Sequence, residues 1–211
     1  MAFKTLSQKI VWSCPWYAVR QDQIILPDGR RGVYNVVQKE PAVWILPVTT
    51  GNQIVMIKSY RYTVDDWCWE IPAGGVKPGQ PLLEAARAEL AEEVGGTAQQ
   101  INYVGKSYIA NGICDEVGHF YMATGVTLAE PDHEPAELIH IHLKSIPDVL
   151  QMARRNQISD APSALAILLC AVRLQSLYKQ PGFSTRVKPT ASDKPRTRFL
   201  KAHLRPQPVN Y

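Results

Sequence analysis

The amino-acid sequence predicts an α+β fold with a mixed β-sheet, preceded by a small β module at the N-terminal end. The first observation is a series of β-rich runs that fills the first sixty residues and is interrupted at hairpin-type turns. The second is a helical pattern that begins only near residue 81 and returns toward the C-terminal end. The third is that strands and helices do not alternate regularly and no internal repeat occurs, which argues against a purely parallel sheet.

Four strands are predicted in the N-terminal part of the chain. They cover residues 16–26, 32–38, 42–48 and 53–60. Pro27-Asp28-Gly29 separates the first two strands and Thr50-Gly51-Asn52 the last two, and both segments have the composition of tight turns. Because the first two strands are more polar than the next two, we assign residues 1–40 to a separate module and expect the main domain at 41–180.

The main domain is predicted to continue with both helices and strands. A helix at 81–94 should begin after Pro78-Gly79-Gln80-Pro81, with proline in its first turn, and end at Gly95-Gly96. A final helix should open with Asp160 as its cap. The other predicted elements are strands at 101–109, 119–124 and 138–143 and helices at 147–155 and 160–178.

The apolar segments and the cysteines of the chain indicate its cellular location. The longest apolar run, 164–172, is about half as long as a bilayer-spanning helix requires. The N-terminal residues lack the apolar segment of a secretory signal, so a cytoplasmic location is expected. The four cysteines are far apart in sequence and form no C-x-x-C motif, which predicts four ordinary buried thiols rather than a zinc site or a disulfide framework.

The net charge of +4 is concentrated at one end of the chain. Residues 181–211 hold seven Lys or Arg and one Asp, so the remainder carries a net charge of −2. We therefore expect 181–211 to be a basic, proline-rich, solvated extension and do not expect nucleic acid as a partner.

The predicted helix at 81–94 carries an unusual group of acids. Leu82, Ala86, Leu90 and Val94 form its apolar stripe. Glu89 and Glu93 project about 40° apart beside this stripe, and Glu92 lies about 60° beyond Glu89. An ordinary acidic surface helix would explain these acids, and helix composition alone favours that explanation. Because no Lys or Arg of the helix is spaced to compensate them, a hard divalent cation, Mg²⁺ or Mn²⁺, is the other explanation.

The segment before the helix favours the cation. Residues 71–79 form a glycine-rich loop that allows backbone to approach an ion or a phosphate. Loop and helix together resemble the Nudix hydrolase signature: Gly, five residues, Glu, seven residues, then Arg-Glu-U-x-Glu-Glu-x-Gly-U, where U is a bulky aliphatic residue. The positions in register are Gly74, Glu89, Leu90, Glu92, Glu93 and Gly95. Gln80, Ala88 and Gly96 depart from the signature. The resemblance implies a Nudix α/β/α sandwich for the main domain.

Over residues 10–180 the chain is similar to the ADP-ribose pyrophosphatase branch of that family. The supporting motifs are Trp16-Tyr17, residues 26–32, residues 59–62, residues 69–74, Asp115-Glu116 and residues 158–161. The resemblance implies that the Ala73 carbonyl, Glu89 and Glu93 hold metal, with Glu92 close by. It implies catalytic roles for Glu92, Glu93 and, as a base or orienting acid, Glu137, with Glu134 in reserve; a solvated loop charge explains Glu137 equally well.

The same resemblance implies a set of substrate contacts. Arg61 would bind the diphosphate with its planar guanidinium, and Lys39 would add a second cation. Trp16 and Tyr34 would sandwich an adenine, often across a dimer interface. Plain strand packing explains Trp16, Tyr34 and Lys39 equally well, and a surface ion pair is the less favoured explanation of Arg61. Glu70 and Glu116 would contact ribose or metal-bound water, or else make buried structural hydrogen bonds. His140 and His142 are explained better by one exposed strand face than by a metal site.

These implications define the expected function. It is Mg²⁺-dependent hydrolysis of a nucleoside diphosphate linked to another group, first of all ADP-ribose to AMP and ribose 5-phosphate, by a homodimer. Asn111 stands where ADP-ribose-specific relatives often have proline, so another nucleotide sugar such as GDP-mannose or UDP-glucose stays open. A further alternative is that Gln80 and Ala88 mark a module with impaired catalysis that binds nucleotide or RNA.

Overall fold

The computed structural model describes residues 2–133 and 138–179. The described residues belong to one compact unit. The predicted basic extension, together with Glu134 and Glu137, lies outside the described residues.

The first three strands form a sheet of their own. They are β1 (Lys4–Ser13), β2 (Ala18–Ile25) and β3 (Arg31–Gln38), paired antiparallel in the order β1-β2-β3. β1 is not among the predicted strands. Every residue of β1 is exposed, and a strand that buries neither face lacks the alternating apolar pattern that identifies strands in a sequence.

An eight-stranded mixed sheet forms the centre of the main domain. Its strands are β4 (Ala42–Thr49), β5 (Gln53–Arg61), β6 (Asp66–Glu70), β7 (Ala73–Gly75), β8 (Gly96–Thr97), β9 (Gln100–Tyr108), β10 (Val117–Leu128) and β11 (Ile139–Ser145). The central order is β11-β5-β4-β10-β8, with β6 against β5, β7 against β4 and β9 against β10. The β10–β4 pairing is parallel and the others are antiparallel, which confirms the predicted mixed sheet.

Two short strands lie where no strand is predicted, one in the unassigned segment 61–70 and one in the predicted glycine-rich loop. β6 contains the aromatic segment around Trp67 and Trp69, and β7 contains the glycines of the signature loop. Glycine disfavours strands in general, but the partner strand β4 supplies the backbone hydrogen bonds that hold β7 extended. These strands therefore depend on their partners more than on their own residues.

Helices cover both faces of the sheet and complete the predicted α/β/α sandwich. They are α1 (Leu82–Val94), α2 (Ile146–Arg154), α3 (Ala161–Leu169) and α4 (Ala171–Tyr178). Helix α1 packs on one face, where Leu90 and Val94 join a buried cluster with residues of β4, β5 and β10. Helices α2 to α4 cover the other face, where Ile146, Ile167 and Leu174 join a second cluster.

The predicted single helix at 160–178 is two helices. Its cap is confirmed, because the Asp160 carboxylate accepts a hydrogen bond from the Ser163 N–H at 2.9 Å. The helix breaks at Cys170, and α3 and α4 meet at an angle of 58°. Ile167, Cys170 and Leu174 lie on both sides of the bend and are all buried in one cluster, a tertiary arrangement that helical periodicity does not contain.

The cysteine prediction was wrong for three of the four thiols. Only Cys170 is buried, and burial raises the pKa of its thiol to about 11. Cys14, Cys68 and Cys114 are partly exposed.

Among the described residues, no single helix has both the length and the apolar composition needed to span a bilayer. The bent pair α3–α4 meets both criteria when its two helices are taken together.

Candidate active site

An acid-lined cavity of about 250 Å³ lies between β7 and the C-terminal half of α1. It is lined by Ala73, Gly74, Gly75, Lys77, Gln80, Ala88, Glu89, Glu92, Glu93 and Asp132. The structure therefore brings the three carboxylates of the predicted helix edge to one place. Glu93 is buried, Glu89 is half-buried and Glu92 is exposed at the rim.

Contacts with β7 fix the two inner carboxylates. Glu93 Oε2 accepts a hydrogen bond from the Ala73 N–H at 2.8 Å. The Glu89 carboxylate lies against Gly74, so closely that a Cβ at Gly74 would lie 2.1 Å from Glu89 Cδ and 2.2 Å from each of its oxygens. A side chain at position 74 would therefore force the Glu89 carboxylate out of its present position.

This arrangement fits a divalent cation that shares its ligands with a substrate. Within residues 2–133 and 138–179, no three His, Cys, Asp or Glu side chains form a metal-binding cluster by themselves. Magnesium in phosphate-handling sites is commonly held by one or two carboxylates plus the substrate's phosphates and water, rather than by a complete protein cage. Glu89 and Glu93 could supply two such carboxylates. Because Gly74 has no side chain, there is space beside it for the Glu89 carboxylate.

The end of α1 is tied to the loop that follows β10. The Ala129 N–H donates to the Gly95 carbonyl at 2.8 Å, and the Asp132 N–H donates to the Glu92 carbonyl at 2.9 Å. His133 Nε2 lies 2.7 Å from the Glu93 carbonyl oxygen, which can only accept, so this nitrogen donates. Neither Asp132 nor His133 is a predicted site residue. The local sequence shows an acidic loop but not its contact with the helix.

Two of the three departures from the family signature, Gln80 and Ala88, line this cavity. The Gln80 side chain accepts a hydrogen bond from the Lys77 N–H at 3.0 Å and so closes the turn before α1. Ala88 is a small side chain in the cavity wall. Gly96 fills a position with no room for an aliphatic residue, because a Cβ there would lie 2.8 Å from Leu90 Cγ.

A larger cavity of about 680 Å³ adjoins the same stretch of β7. The residues that line both cavities are Ala73, Gly74 and Gly75. The larger cavity is also lined by Trp16, Lys39, Glu40, Ala42, Trp44, Arg61, Thr63, Val64, Asp66, Cys68, Glu70, Glu116, Ser159 and Asp160. It gathers all but one of the predicted substrate residues.

Two cations of the larger cavity are held by buried acids. Arg61 Nε donates to Glu70 Oε1 at 2.8 Å, and Arg61 Nη2 donates to the other oxygen of the same carboxylate. These hydrogen bonds, with the nearby charge of Glu93, raise the pKa of Arg61 above its ordinary value. Lys39 Nζ lies 2.8 Å from Glu116 Oε1. Glu70 and Glu116 thus make the structural contacts that the sequence left open.

The two aromatic residues predicted to sandwich a base do not meet within one chain. Trp16 lines the larger cavity and its side chain is 77% exposed. Tyr34 lies outside that cavity, where its hydroxyl donates to the Gly112 carbonyl at 2.9 Å. Tyr34 instead lines a separate cavity of about 320 Å³ together with Asn111.

With this geometry in view, comparison with known proteins identifies the class. The NUDIX domain family matches residues 38–162, and the nucleoside diphosphate sugar hydrolase N-terminal domain family matches residues 3–37. The chain belongs to the Nudix family, in the branch similar to ADP-ribose pyrophosphatases. This confirms the predicted family, branch and enzyme class, a pyrophosphohydrolase.

Individual relatives agree with that assignment. The chain is 28% identical to the ADP-ribose pyrophosphatase of Bacillus subtilis (strain 168), over 78% of this chain and 90% of that protein. It is 36% identical to the ADP-ribose pyrophosphatase of Mycobacterium tuberculosis, over 64% of this chain and 68% of that protein. A crystal structure of an ADP compounds hydrolase superposes with a TM-score of 0.73 at 19% identity, covering 84% of this chain and 96% of that one, which confirms the fold.

Proposed function

We propose that the protein hydrolyses the pyrophosphate bond of a nucleoside diphosphate sugar in a Mg²⁺-dependent reaction, with ADP-ribose giving AMP and ribose 5-phosphate. The observation that carries the proposal is that an acid-lined cavity and a cation-lined cavity share the glycine-rich strand β7. A diphosphate lying along β7 would reach the carboxylates on one side and Arg61 on the other. The names of two curated relatives, both ADP-ribose pyrophosphatases, support this choice of substrate.

The chain's own residues would divide the work at β7. Glu89, Glu93 and the Ala73 carbonyl would hold the cation, with Glu92 at the rim. When bound, Mg²⁺ (or Mn²⁺) lowers the pKa of a water molecule and offsets the charge on the phosphate oxygens. The hydrogen bond from the Ala73 N–H to the buried Glu93 carboxylate would hold α1 at a fixed distance from β7. Catalytic roles for Glu92 and Glu93, and for Glu137 outside the described residues, stay part of this proposal.

The larger cavity would bind the rest of the substrate. Arg61 and Lys39 would donate to the diphosphate while Glu70 and Glu116 hold their side chains in place. Trp16 would stack on the base. Glu70 and Glu116 also line this cavity, where they would contact ribose hydroxyls.

A substrate panel tests the proposal. The full chain should hydrolyse ADP-ribose with Mg²⁺ at a higher kcat/KM than GDP-mannose, UDP-glucose and dinucleoside polyphosphates. A higher kcat/KM for GDP-mannose or UDP-glucose would transfer the assignment to that nucleotide sugar. Tight binding of ADP-ribose with no turnover in Mg²⁺ or Mn²⁺ would instead identify a module that binds without catalysis.

Substituting Arg61 by lysine should weaken substrate binding. Lysine keeps the charge but cannot make the two parallel hydrogen bonds of the guanidinium, either to Glu70 or to a diphosphate. We expect KM for ADP-ribose to rise by about tenfold to a hundredfold with a smaller change in kcat, since such contacts are worth roughly 1.5–3 kcal/mol. Steady-state kinetics measure both constants. Arg87→Lys on the exposed side of α1 is the matched control and should leave KM unchanged.

The N-terminal sheet leads us to propose a homodimer. Trp12 and Trp16 are 50% and 77% exposed, and β1 buries no residue within one chain. Light scattering should therefore give twice the chain mass of 23.6 kDa, and Trp16→Ala should shift the equilibrium toward the monomer. A monomer at micromolar concentration would refute this assembly.

A cytoplasmic location stays a prediction, to be measured by cell fractionation.

A further inference from the structure

A second group of aromatic and basic residues lies on the sheet away from both cavities of the candidate active site. We call it the ring platform, and its members are Lys58, Tyr60, Trp67, Trp69, His140, His142 and Lys144. They come from β5, β6 and β11, which are adjacent in the sheet. None of them lines the two cavities that share β7.

Strand register places these residues on one face. Lys58 is paired with Trp69 on β6 and with His140 on β11, and Tyr60 is paired with Trp67. Side chains two residues apart on a strand share a face. His142 and Lys144 therefore lie on the same face as His140, and Trp67 lies on the same face as Trp69. Farther along β5 the same face is the apolar floor under α2 to α4, where Ile54 and Met56 are buried. The ring platform is the part of that face where polar and aromatic side chains replace the apolar ones.

The rings of the platform contact one another across β5. Trp67 stacks on His140 with centroids 4.7 Å apart and planes 27° apart, and Tyr60 meets the edge of Trp67 at 5.8 Å. Trp69 meets His142 edge-on at 4.8 Å. His140 is exposed and the two indoles are partly exposed. The platform therefore presents several flat rings that are held in place before anything binds.

Two ammonium groups converge on one of these rings. Lys144 Nζ lies 4.3 Å and Lys58 Nζ lies 5.4 Å from the centroid of the Trp69 ring. In the described part of the chain, neither lysine has a carboxylate within ion-pair distance. The mutual repulsion of two such cations decreases when an anion lies between or beside them.

We propose that the ring platform binds a short stretch of single-stranded nucleic acid. Unpaired bases stack on aromatic side chains, and lysines beside the rings neutralise the adjoining phosphates. An acidic peptide would use the two lysines but not the rings, and a duplex would keep its bases unavailable for stacking. The net charge of −2 for residues 1–180 is the reason why nucleic acid is not expected from the sequence. That value is a sum over the whole unit and does not show that two lysines lie close together on one face.

Fluorescence anisotropy with a labelled twelve-nucleotide oligouridylate tests the proposal on the full chain. Trp67→Leu should weaken binding about tenfold through the loss of stacking. The double variant Lys58→Ala/Lys144→Ala should weaken it as well and reduce the slope of log K against log salt by about 1.4, as expected for two phosphate contacts to a single strand. Trp67→Phe, which keeps a ring, should retain most of the affinity.

Matched controls separate this site from other charges and from the proposed enzyme activity. Lys106→Ala/Arg173→Ala removes two positive charges from exposed positions elsewhere and should leave both affinity and salt slope unchanged. ADP-ribose hydrolysis should be unchanged in every platform variant, so a failure of one proposal does not affect the other. Binding that all platform variants retain would place the contact elsewhere on the chain and overturn the proposal. Equal affinity for inorganic polyphosphate, or no binding of the oligonucleotide, would overturn it too.

Discussion

Replacing Glu93 by glutamine should lower kcat for ADP-ribose by about a hundredfold or more, the loss expected when a carboxylate at a metal site is neutralised. The amide oxygen of glutamine can still accept the hydrogen bond from the Ala73 N–H, so the buried contact between α1 and β7 should survive. The loss should therefore come from charge and not from unfolding. Steady-state kinetics across a Mg²⁺ titration measure it, and thermal unfolding checks that the fold is intact.

Glu84→Gln is the matched control for that experiment. Glu84 lies in the first turn of the same helix and is exposed. Its neutralisation removes the same charge from α1 without touching the acid-lined cavity, so kcat should stay within about twofold of the parent. Full activity of Glu93→Gln would show that the acid edge of α1 takes no part in the reaction.

Replacing Gly74 by alanine should also lower activity, although less than Glu93→Gln and without any change of charge. The new methyl group would occupy the position of the Glu89 carboxylate, at 2.1 Å from its Cδ. Glu89 must then turn away from β7, and we expect both kcat and the apparent affinity for Mn²⁺ to fall by about tenfold or more. Kinetics measure the first quantity, and electron paramagnetic resonance of free Mn²⁺ measures the second in the absence of substrate.

The neighbouring glycine provides the comparison. A Cβ at Gly75 would meet nothing within 4 Å, so Gly75→Ala should leave Mn²⁺ affinity and kcat nearly unchanged. Equal effects of the two substitutions would show that alanine acts on β7 through backbone flexibility. In that case the close contact between Gly74 and Glu89 would have no special role.

The elements that sequence analysis predicted well have their determinants close together in the chain. Helix α1 combines a four-residue apolar repeat with a Gly95 terminus whose φ of 62° disfavours other residues, and its predicted and observed limits nearly coincide. Glu89 and Glu93 could also be predicted from this short segment, because the family signature lies within it. These features need no knowledge of the rest of the fold.

The features that the sequence did not predict depend on distant partners. Strand β1 has no buried face, and β7 is extended because β4 pairs with it. The bend at Cys170 lies among residues that are buried together with residues of the sheet. Asp132 and His133 reach the end of α1 through hydrogen bonds spanning about forty residues. A short window of sequence contains none of these relationships.

The carboxylates beside Arg61 and Lys39 have a consequence for selectivity. Glu70 and Glu116 already occupy N–H donors that a phosphate would use, so any incoming anion competes with an internal one. A chloride ion or a lone inorganic phosphate gains little by displacing a well-placed carboxylate. In the proposed function, a molecule that offers several oxygens at once, and binds through its base as well, would outcompete it. The cavity would thereby discriminate against the abundant simple anions of a cell before any chemistry takes place.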